Sequence, residues 1–119
     1  MPGPLSILKL PNPERAIVDI AKLRAYSLNP EHSRGKHKAR VFAAALGLRE
    51  EDAGWLRSLL LEAVHRDART VEQDEFGTYY VIDFEVRTPT GAAVIRSSWI
   101  VRAGEDSPRL TTCYVKRDR

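Results

Sequence analysis

The spacing of the apolar residues changes once along the chain, and this change constrains the fold more than any other feature. Before about residue 65 the apolar residues recur at helical spacing, and the clearest stripe is Leu56, Leu59, Leu60, Ala63 and Val64. From about residue 69 the pattern has a period of two, which is typical of strands. Helices followed by strands that short turns connect predict an α+β domain. We expect about three N-terminal helices packed on one face of a C-terminal four-stranded antiparallel sheet.

The predicted helices are bounded by caps and breakers. Asp19 is a favourable N-cap for the first helix, and Asn29-Pro30 ends it because the residue before proline disfavours helical backbone. Gly47 is placed as the C-terminal cap of the second helix. The helices are predicted at about residues 19–26, 35–47 and 50–65.

Four strands follow from the alternating segments and the turns between them. The strongest turn signal is Thr88-Pro89-Thr90-Gly91. The strands are predicted at 69–74, 78–86, 92–102 and 110–115. The short segment Ala16–Val18 is also compatible with an edge strand.

The length of 119 residues predicts one domain. Residues 1–12 contain prolines and little apolar pattern, and we interpret them as an extended arm. The single α+β domain is expected at 13–115, followed by a basic tail at 116–119. The sequence makes no prediction of oligomeric state.

Composition narrows the class of protein. The net charge of +3 and the pI near 9.2 are mildly basic, which permits a nucleic-acid or acidic-protein partner. One cysteine, Cys113, excludes an internal disulfide. The sequence shows neither an apolar run long enough for a membrane span nor a signal-peptide pattern. We therefore expect a cytoplasmic protein with no membrane partner.

The stretch from His32 to Arg40 concentrates positive charge. It holds four cationic side chains and no acid, namely Arg34, Lys36, Lys38 and Arg40. Cations at the start of a helix oppose its dipole, unless an anion joins them at the free backbone amides. Two interpretations stay open, a solvated loop and a site for a phosphate-bearing ligand.

Other kinds of site have weaker support. The three histidines are not at metal-ligand spacing and no CxxC or HExxH motif occurs, so no metal or cofactor is expected. Cys113 lies in a strand, where a cysteine is ordinarily a packing residue. Asp83 and Glu85 share a strand face, and solvated strand acids are the favoured interpretation over an acid pair.

RNA cleavage without metal is the chemistry that the cationic stretch best fits. It needs a base for the 2′-hydroxyl proton, donors for phosphorane charge and an acid for the leaving oxygen. Histidine and Lys/Arg side chains supply these roles. The candidate set is His32, Lys36, Lys38 and Arg40 on the loop and second helix, with Arg96, Ser98, Thr111 and Thr112 on the sheet.

Two blocks of sequence resemble a known family. They run from Lys22 through Gly35 to Gly47, and over Ser98–Ile100 with Pro108–Thr112. They resemble an uncharacterised bacterial and phage domain family that occurs in polymorphic-toxin and phage head-morphogenesis proteins. Its order of helices and strands is similar to the barnase–EndoU–colicin–RelE nuclease superfold. The matching motif positions are His32, Gly35, Lys38, Ala39, Phe42, Trp99, Pro108, Arg109 and Thr111.

The resemblance implies a metal-independent ribonuclease-like toxin domain of a toxin–antitoxin or phage-associated system, with RNA as partner. His32 would be general base or acid, Lys38 and Arg109 would stabilise phosphate charge, and Thr111 would donate to phosphate. Lys36 and Arg40 would steer RNA, and His37 would be a bystander. The alternative is a non-catalytic antitoxin, immunity or adaptor protein. In that case the basic surface serves protein binding, and a small acidic antitoxin-like protein is the possible partner.

Overall fold

The computed structural model describes residues 8–116, an antiparallel sheet whose last four strands follow the helical segments in the chain. The first seven residues of the predicted arm and residues 117–119 of the predicted tail lie outside this range. The helices are α1 (Ile20–Lys22), which continues as a π-helical turn (Leu23–Ser27), α2 (Lys36–Leu46) and α3 (Ala53–Ala63). Short 3-10 turns span Pro13–Arg15 and Glu50–Asp52. The strands are β1 (Leu8–Lys9), β2 (Asp67–Asp74), β3 (Gly77–Thr88), β4 (Gly91–Arg102) and β5 (Pro108–Lys116).

The sheet has five strands in the order β1-β2-β3-β4-β5, so the prediction of four strands is wrong. The additional strand, β1, pairs antiparallel with the start of β2, with Leu8 opposite Ala68. Two residues are too few to show the alternation by which a strand is recognised. They also fall in the segment that the sequence predicted to be an arm.

The helices pack against one face of the sheet, and that face supplies the core. The inward side chains alternate along β3 and β4, as a strand with one covered face requires. They meet the buried side of α2, where Phe42 is fully buried, and that of α3. The inward set on β3, β4 and β5 includes Ile82, Phe84, Val86, Ile95, Ser97, Trp99, Cys113 and Val115.

Two polar groups in this core satisfy each other. The Nε1 of the buried Trp99 donates a hydrogen bond of 2.9 Å to the hydroxyl of Ser97. That hydroxyl donates in turn to the carbonyl oxygen of Ile82 at 2.8 Å. A buried indole N–H without a partner is costly, so the Ser97 hydroxyl allows a large aromatic ring at the centre of the core.

The β5 edge of the sheet is covered by segments from the N-terminal half. Ile17 forms a parallel bridge with Arg109, in which the amide of Leu110 donates to the Ile17 carbonyl at 3.0 Å. Farther along, the π-helical turn and α2 pack against β5. A register shift opposite Ser98 leaves Thr111 as an extra residue in β5. The cationic stretch is thereby held beside β5.

Replacing Ser97 by alanine tests the buried hydrogen-bond relay from Trp99 through Ser97 to Ile82. It leaves the Trp99 N–H without a partner, so the free energy of unfolding should fall by about 1–3 kcal/mol. Ser98→Ala, one residue away on the opposite face, is the matched control and should change it by less than about 0.5 kcal/mol. Urea denaturation followed by Trp fluorescence measures both, and equal effects of the two substitutions would contradict the relay.

Candidate functional site

An open cleft of about 580 Å³ lies between the first half of α2 and the strands β4 and β5. Its walls carry more cationic side chains than apolar ones, and no acidic residue is among the described residues that line it. Below it is called the cationic cleft. It is lined by His37, Lys38, Arg40, Val41, Arg96, Tyr114, Val115 and Lys116.

Helix α2 presents its cations to the cleft because its other face is buried. Ala39, Phe42 and Leu46 follow at helical spacing and pack into the core. Lys38 and Arg40 flank Ala39 and are therefore turned away from the centre of the core. Gly47 ends the helix in the left-handed conformation, with φ of 70°. At the other end, the described first turn of α2 contains no acidic residue.

Lys38 is held over an aromatic ring of β5. Its Nζ lies 5.0 Å from the centroid of the Tyr114 ring, which is within the range of a cation–π interaction. Both side chains are half-buried. The contact fixes the ammonium group at the wall of the cleft and joins α2 to the edge strand.

Arg96 is fixed by a carboxylate on the neighbouring strand. Its Nε and one terminal nitrogen each donate to an oxygen of Asp83 at 2.9 Å, a bidentate pair between residues directly opposite each other on β3 and β4. Lys116 approaches the same carboxylate at 3.7 Å. Hydrogen bonding to Arg96 holds the pKa of Asp83 below its ordinary value, and the Asp83 carboxylate raises the pKa of Arg96.

His32 organises the loop that precedes α2. Its Nδ1 accepts hydrogen bonds from the backbone amides of Arg34 and Gly35 at 3.0 and 3.1 Å. Its ring stacks on Tyr26, with centroids 4.5 Å apart and planes at 6°. Because Nδ1 is an acceptor in both bonds, the proton of the neutral ring is assigned to Nε2.

Gly35 is required at this place for a steric reason. A Cβ at that position would collide with the ring and the carbonyl oxygen of Tyr26. The loop therefore closes onto Tyr26 from two sides, through Gly35 and through the stacked ring of His32. This accounts physically for the spacing of the three residues in the sequence.

A smaller hollow of about 70 Å³, the Tyr26 pocket, lies beside the cleft along β5. Thr111 and Thr112 form its sheet side and Tyr26 and Ser27 part of its helical side. The Thr111 hydroxyl donates to the carbonyl oxygen of Ser98 at 3.1 Å, so its lone pairs face the solvent. The pocket is narrow, and its polar lining residues include Asp19 and Lys22 as well as the two threonines.

Arg109 lies at the other end of β5. It is paired with Glu105 at 3.4 Å in the connection between β4 and β5. It precedes Tyr114 by five residues. At about 3.3 Å per strand residue this separation is roughly 16 Å, without a correction for the bulge at Thr111. It is therefore remote from the cationic cleft.

The structure brings together three of the nine predicted site residues in the cleft. These are Lys38, Arg40 and Arg96, whereas Thr111 and Thr112 line the Tyr26 pocket. The remaining four, which are not among the residues lining either hollow, are His32, Lys36, Ser98 and Arg109.

Three polar residues of the cleft, Tyr114, Lys116 and His37, were missed. Tyr114 and Lys116 lie on the open face of β5, where Tyr114 is directly opposite Arg96. Their alternation with the buried Cys113 and Val115 was visible in the sequence, but their pairing with Arg96 depends on the register of two strands. His37, which the sequence treated as a bystander, lines the cleft and is exposed.

On the other side of α2 lies a hollow of about 430 Å³, which Arg40 also lines. Its polar rim mixes signs, since Arg49 stands beside Glu50 and Glu51. A hollow with this rim has no preference for an anion, and the cationic cleft is the better candidate for a phosphate-bearing ligand.

Residues 8–116 contain no group of three or more His, Cys, Asp or Glu side chains placed to hold a metal ion. Within the same range, every helix is too short or too polar to cross a membrane.

Comparisons with known proteins give a family and one structural relative. The model of the family DUF6883, described as a domain of unknown function, matches residues 9–117. A search of curated proteins gives no match. A chain from a contact-dependent growth inhibition toxin–immunity protein complex of Klebsiella pneumoniae 342 has a similar fold, with a TM-score of 0.66 and 17% identity. The similarity covers 84% of the present chain and 99% of that chain.

Asp83→Asn tests the pair that fixes Arg96. Folding lowers the pKa of the Asp83 carboxyl below its unfolded value, near 3.8. The pair therefore contributes stability at a pH above the unfolded pKa, and this contribution is lost as the pH falls through the lower folded pKa. Since the pair is partly exposed, the substitution should lower the free energy of unfolding at pH 7 by about 1 kcal/mol or less. The difference from wild type should shrink as the pH falls through the lowered pKa of Asp83 in the folded protein. A difference that is the same at pH 7 and at pH 2.5, in denaturation at both values, would contradict this account.

Proposed function

The chain belongs to the DUF6883 family, and we propose that it is a metal-independent, ribonuclease-like domain of a toxin system, with RNA bound in the cationic cleft. The observation that carries the proposal is the convergence of Lys38 and Arg96 with Tyr114 in one open cleft. The structural relative supports the association with a toxin system, since it comes from a toxin–immunity complex.

The charge of the cleft suits a polyanion. Lys38, Arg40, Arg96 and Lys116 reach it from three different elements, and Asp83 offsets part of the charge of the last two. Cations that protein contacts fix in advance stabilise phosphate without reorganising during the reaction. A single strand running along β5 would pass from the cleft to the Tyr26 pocket. There the Thr112 hydroxyl can donate to a phosphate, and the Thr111 oxygen, whose proton is donated to Ser98, can accept from a 2′-hydroxyl.

The proposed reaction is transesterification within RNA. The 2′-hydroxyl oxygen attacks the adjacent phosphorus, the bond from phosphorus to the 5′-oxygen breaks, and the products end in a 2′,3′-cyclic phosphate and a 5′-hydroxyl. Lys38 and Arg96 would neutralise the charge that develops on the phosphorane oxygens. Lys36, Arg40 and Lys116 would attract the strand.

Arg109 and Thr111 lie farther from the proposed cleavage point. Both belong to β5, outside the cleft, and Arg109 is already paired with Glu105. They would contact nucleotides beyond the cleavage point. Their loss would then weaken binding more than it slows the chemical step.

A second candidate function is a protein-binding module of the same kind of system. The structural relative comes from a complex of two proteins, and a cationic cleft can bind an acidic segment of a protein as well as RNA. Under this alternative the domain has no turnover, and its expression in bacteria is harmless. Under the ribonuclease proposal, expression without a neutralising partner stops growth.

Purified protein with RNA and excess EDTA tests the proposal. We expect cleavage products with 2′,3′-cyclic phosphate ends. Lys38→Ala and Arg96→Ala should each lower kcat/KM by about 10²–10³-fold, the usual effect of removing a group that stabilises transition-state charge. Arg66→Ala, an exposed arginine after α3 and outside the cleft, is the control. The ribonuclease proposal would be refuted if the RNA stayed intact. It would also be refuted if all variants cleaved RNA equally, because a contaminating ribonuclease gives that result.

Salt dependence gives an independent test of phosphate contacts in the cleft. If four cations contact phosphates of single-stranded RNA, log Kobs should fall with log salt at a slope of about −3. Replacing Lys116 by alanine should make the slope shallower by roughly 0.7. Fluorescence anisotropy with an oligonucleotide that carries 2′-O-methyl groups measures binding without cleavage. A slope unchanged by Lys116→Ala would remove that residue from the RNA contacts.

A further inference from the structure

We infer that the proton-transfer histidine of this domain is His37, and that His32 is a positioning residue that caps the turn leading into α2. The inference rests on the proposed ribonuclease function and assigns the roles of the two histidines within it. The sequence analysis predicted the opposite, with His32 as general base or acid and His37 as a bystander. Its support is the different surroundings of the two rings.

His32 caps the turn from His32 to Gly35, which leads into α2. Its Nδ1 accepts from the amides two and three residues later, which is the pattern that an Asn or Asp side chain makes at the beginning of a helix. Its own carbonyl oxygen accepts from the Lys36 amide at 2.9 Å, and its amide donates to the Asn29 carbonyl oxygen at 3.2 Å. These bonds connect the loop to the first residue of α2.

The same bonds restrict what His32 can do chemically. A neutral imidazole accepts a proton at its unprotonated nitrogen, and in His32 that nitrogen is bound to two amides. Accepting a proton there would break both hydrogen bonds and release the loop. The ring is also half-buried against Tyr26. His32 is therefore placed to hold structure and not to take a proton from a substrate.

His37 has the opposite surroundings. It is exposed, it lies one residue before Lys38 at the start of α2, and it lines the cationic cleft. Among the described residues that line the cleft, it has the one side-chain type that ordinarily changes charge between about pH 5 and 8. In residues 8–116 its side chain makes no hydrogen bond or ion pair with another group, so both ring nitrogens are available to a ligand.

The proposed step couples proton transfer from the 2′-hydroxyl to His37 with cleavage of the bond from phosphorus to the 5′-oxygen. The neutral imidazole of His37 takes the proton of the 2′-hydroxyl as the 2′-oxygen bonds to phosphorus. The bond from phosphorus to the 5′-oxygen breaks, and the leaving oxygen takes a proton from a water molecule of the open cleft. The resulting hydroxide and the protonated His37 neutralise each other, so no other reactant is consumed.

Three variants separate the two roles. His37→Ala should lower kcat by about 10²–10⁴-fold, the usual contribution of general acid–base catalysis, with the Tm unchanged. Added imidazole should restore part of this activity, which a purely structural loss would not allow. His32→Ala should lower the Tm by roughly 2–8 °C, as loss of a cap does. His32→Asn should recover the Tm and most of the activity that His32→Ala loses, because the Asn side-chain oxygen can accept from the same two amides.

The exposed His65, in the connection between α3 and β2, provides the matched control, and His65→Ala should behave as wild type. Full activity of His37→Ala would overturn the assignment while leaving the ribonuclease proposal intact. So would a His32→Asn protein that folds with the wild-type Tm but is as inactive as His37→Ala. If wild-type protein does not cleave RNA, the ribonuclease proposal fails first and the assignment fails with it.

Discussion

The stacking of His32 on Tyr26 determines where helix α2 begins, and the cationic cleft depends on that position. Tyr26 belongs to the π-helical turn that packs against β5, and His32 belongs to the loop that leads into α2. Gly35 permits the close approach because it has no Cβ. A displaced loop would move Lys38 away from Tyr114 and separate the helical wall of the cleft from its sheet wall.

The sheet contributes the second half of the cleft through strand register. Asp83, Arg96 and Tyr114 lie side by side on three neighbouring strands, on the face away from the helices. The carboxylate in this row keeps the guanidinium group charged and fixed. The buried Ser97–Trp99 relay lies on the opposite face of β4, so the same strand carries both the core and the site. This division of faces explains why motif residues such as Trp99 and Phe42 are structural, whereas the cleft residues next to them are available for a ligand.

The change of period predicted the order of helices and strands, because burial on one face produces a regular pattern that can be read without a structure. It did not predict β1, since pairing of two residues depends on the position of a neighbouring strand. Among site residues, Lys38, Arg40 and Arg96 were predicted from charge and converge. Tyr114 and Lys116 were missed because their proximity to Arg96 arises from register. His32 and His37 were ranked by resemblance, and only the direction of each ring shows that one faces backbone amides and the other the cleft.

An NMR titration measures directly whether RNA binds in the cationic cleft. Isotope-labelled protein would be titrated with a single-stranded RNA that 2′-O-methyl groups protect from cleavage. The account predicts that the amide shifts of residues 36–41, 96 and 114–116 change together and saturate, while those of the β2–β3 turn stay fixed. Changes confined to another surface, or no change at concentrations that saturate a cationic site, would contradict it.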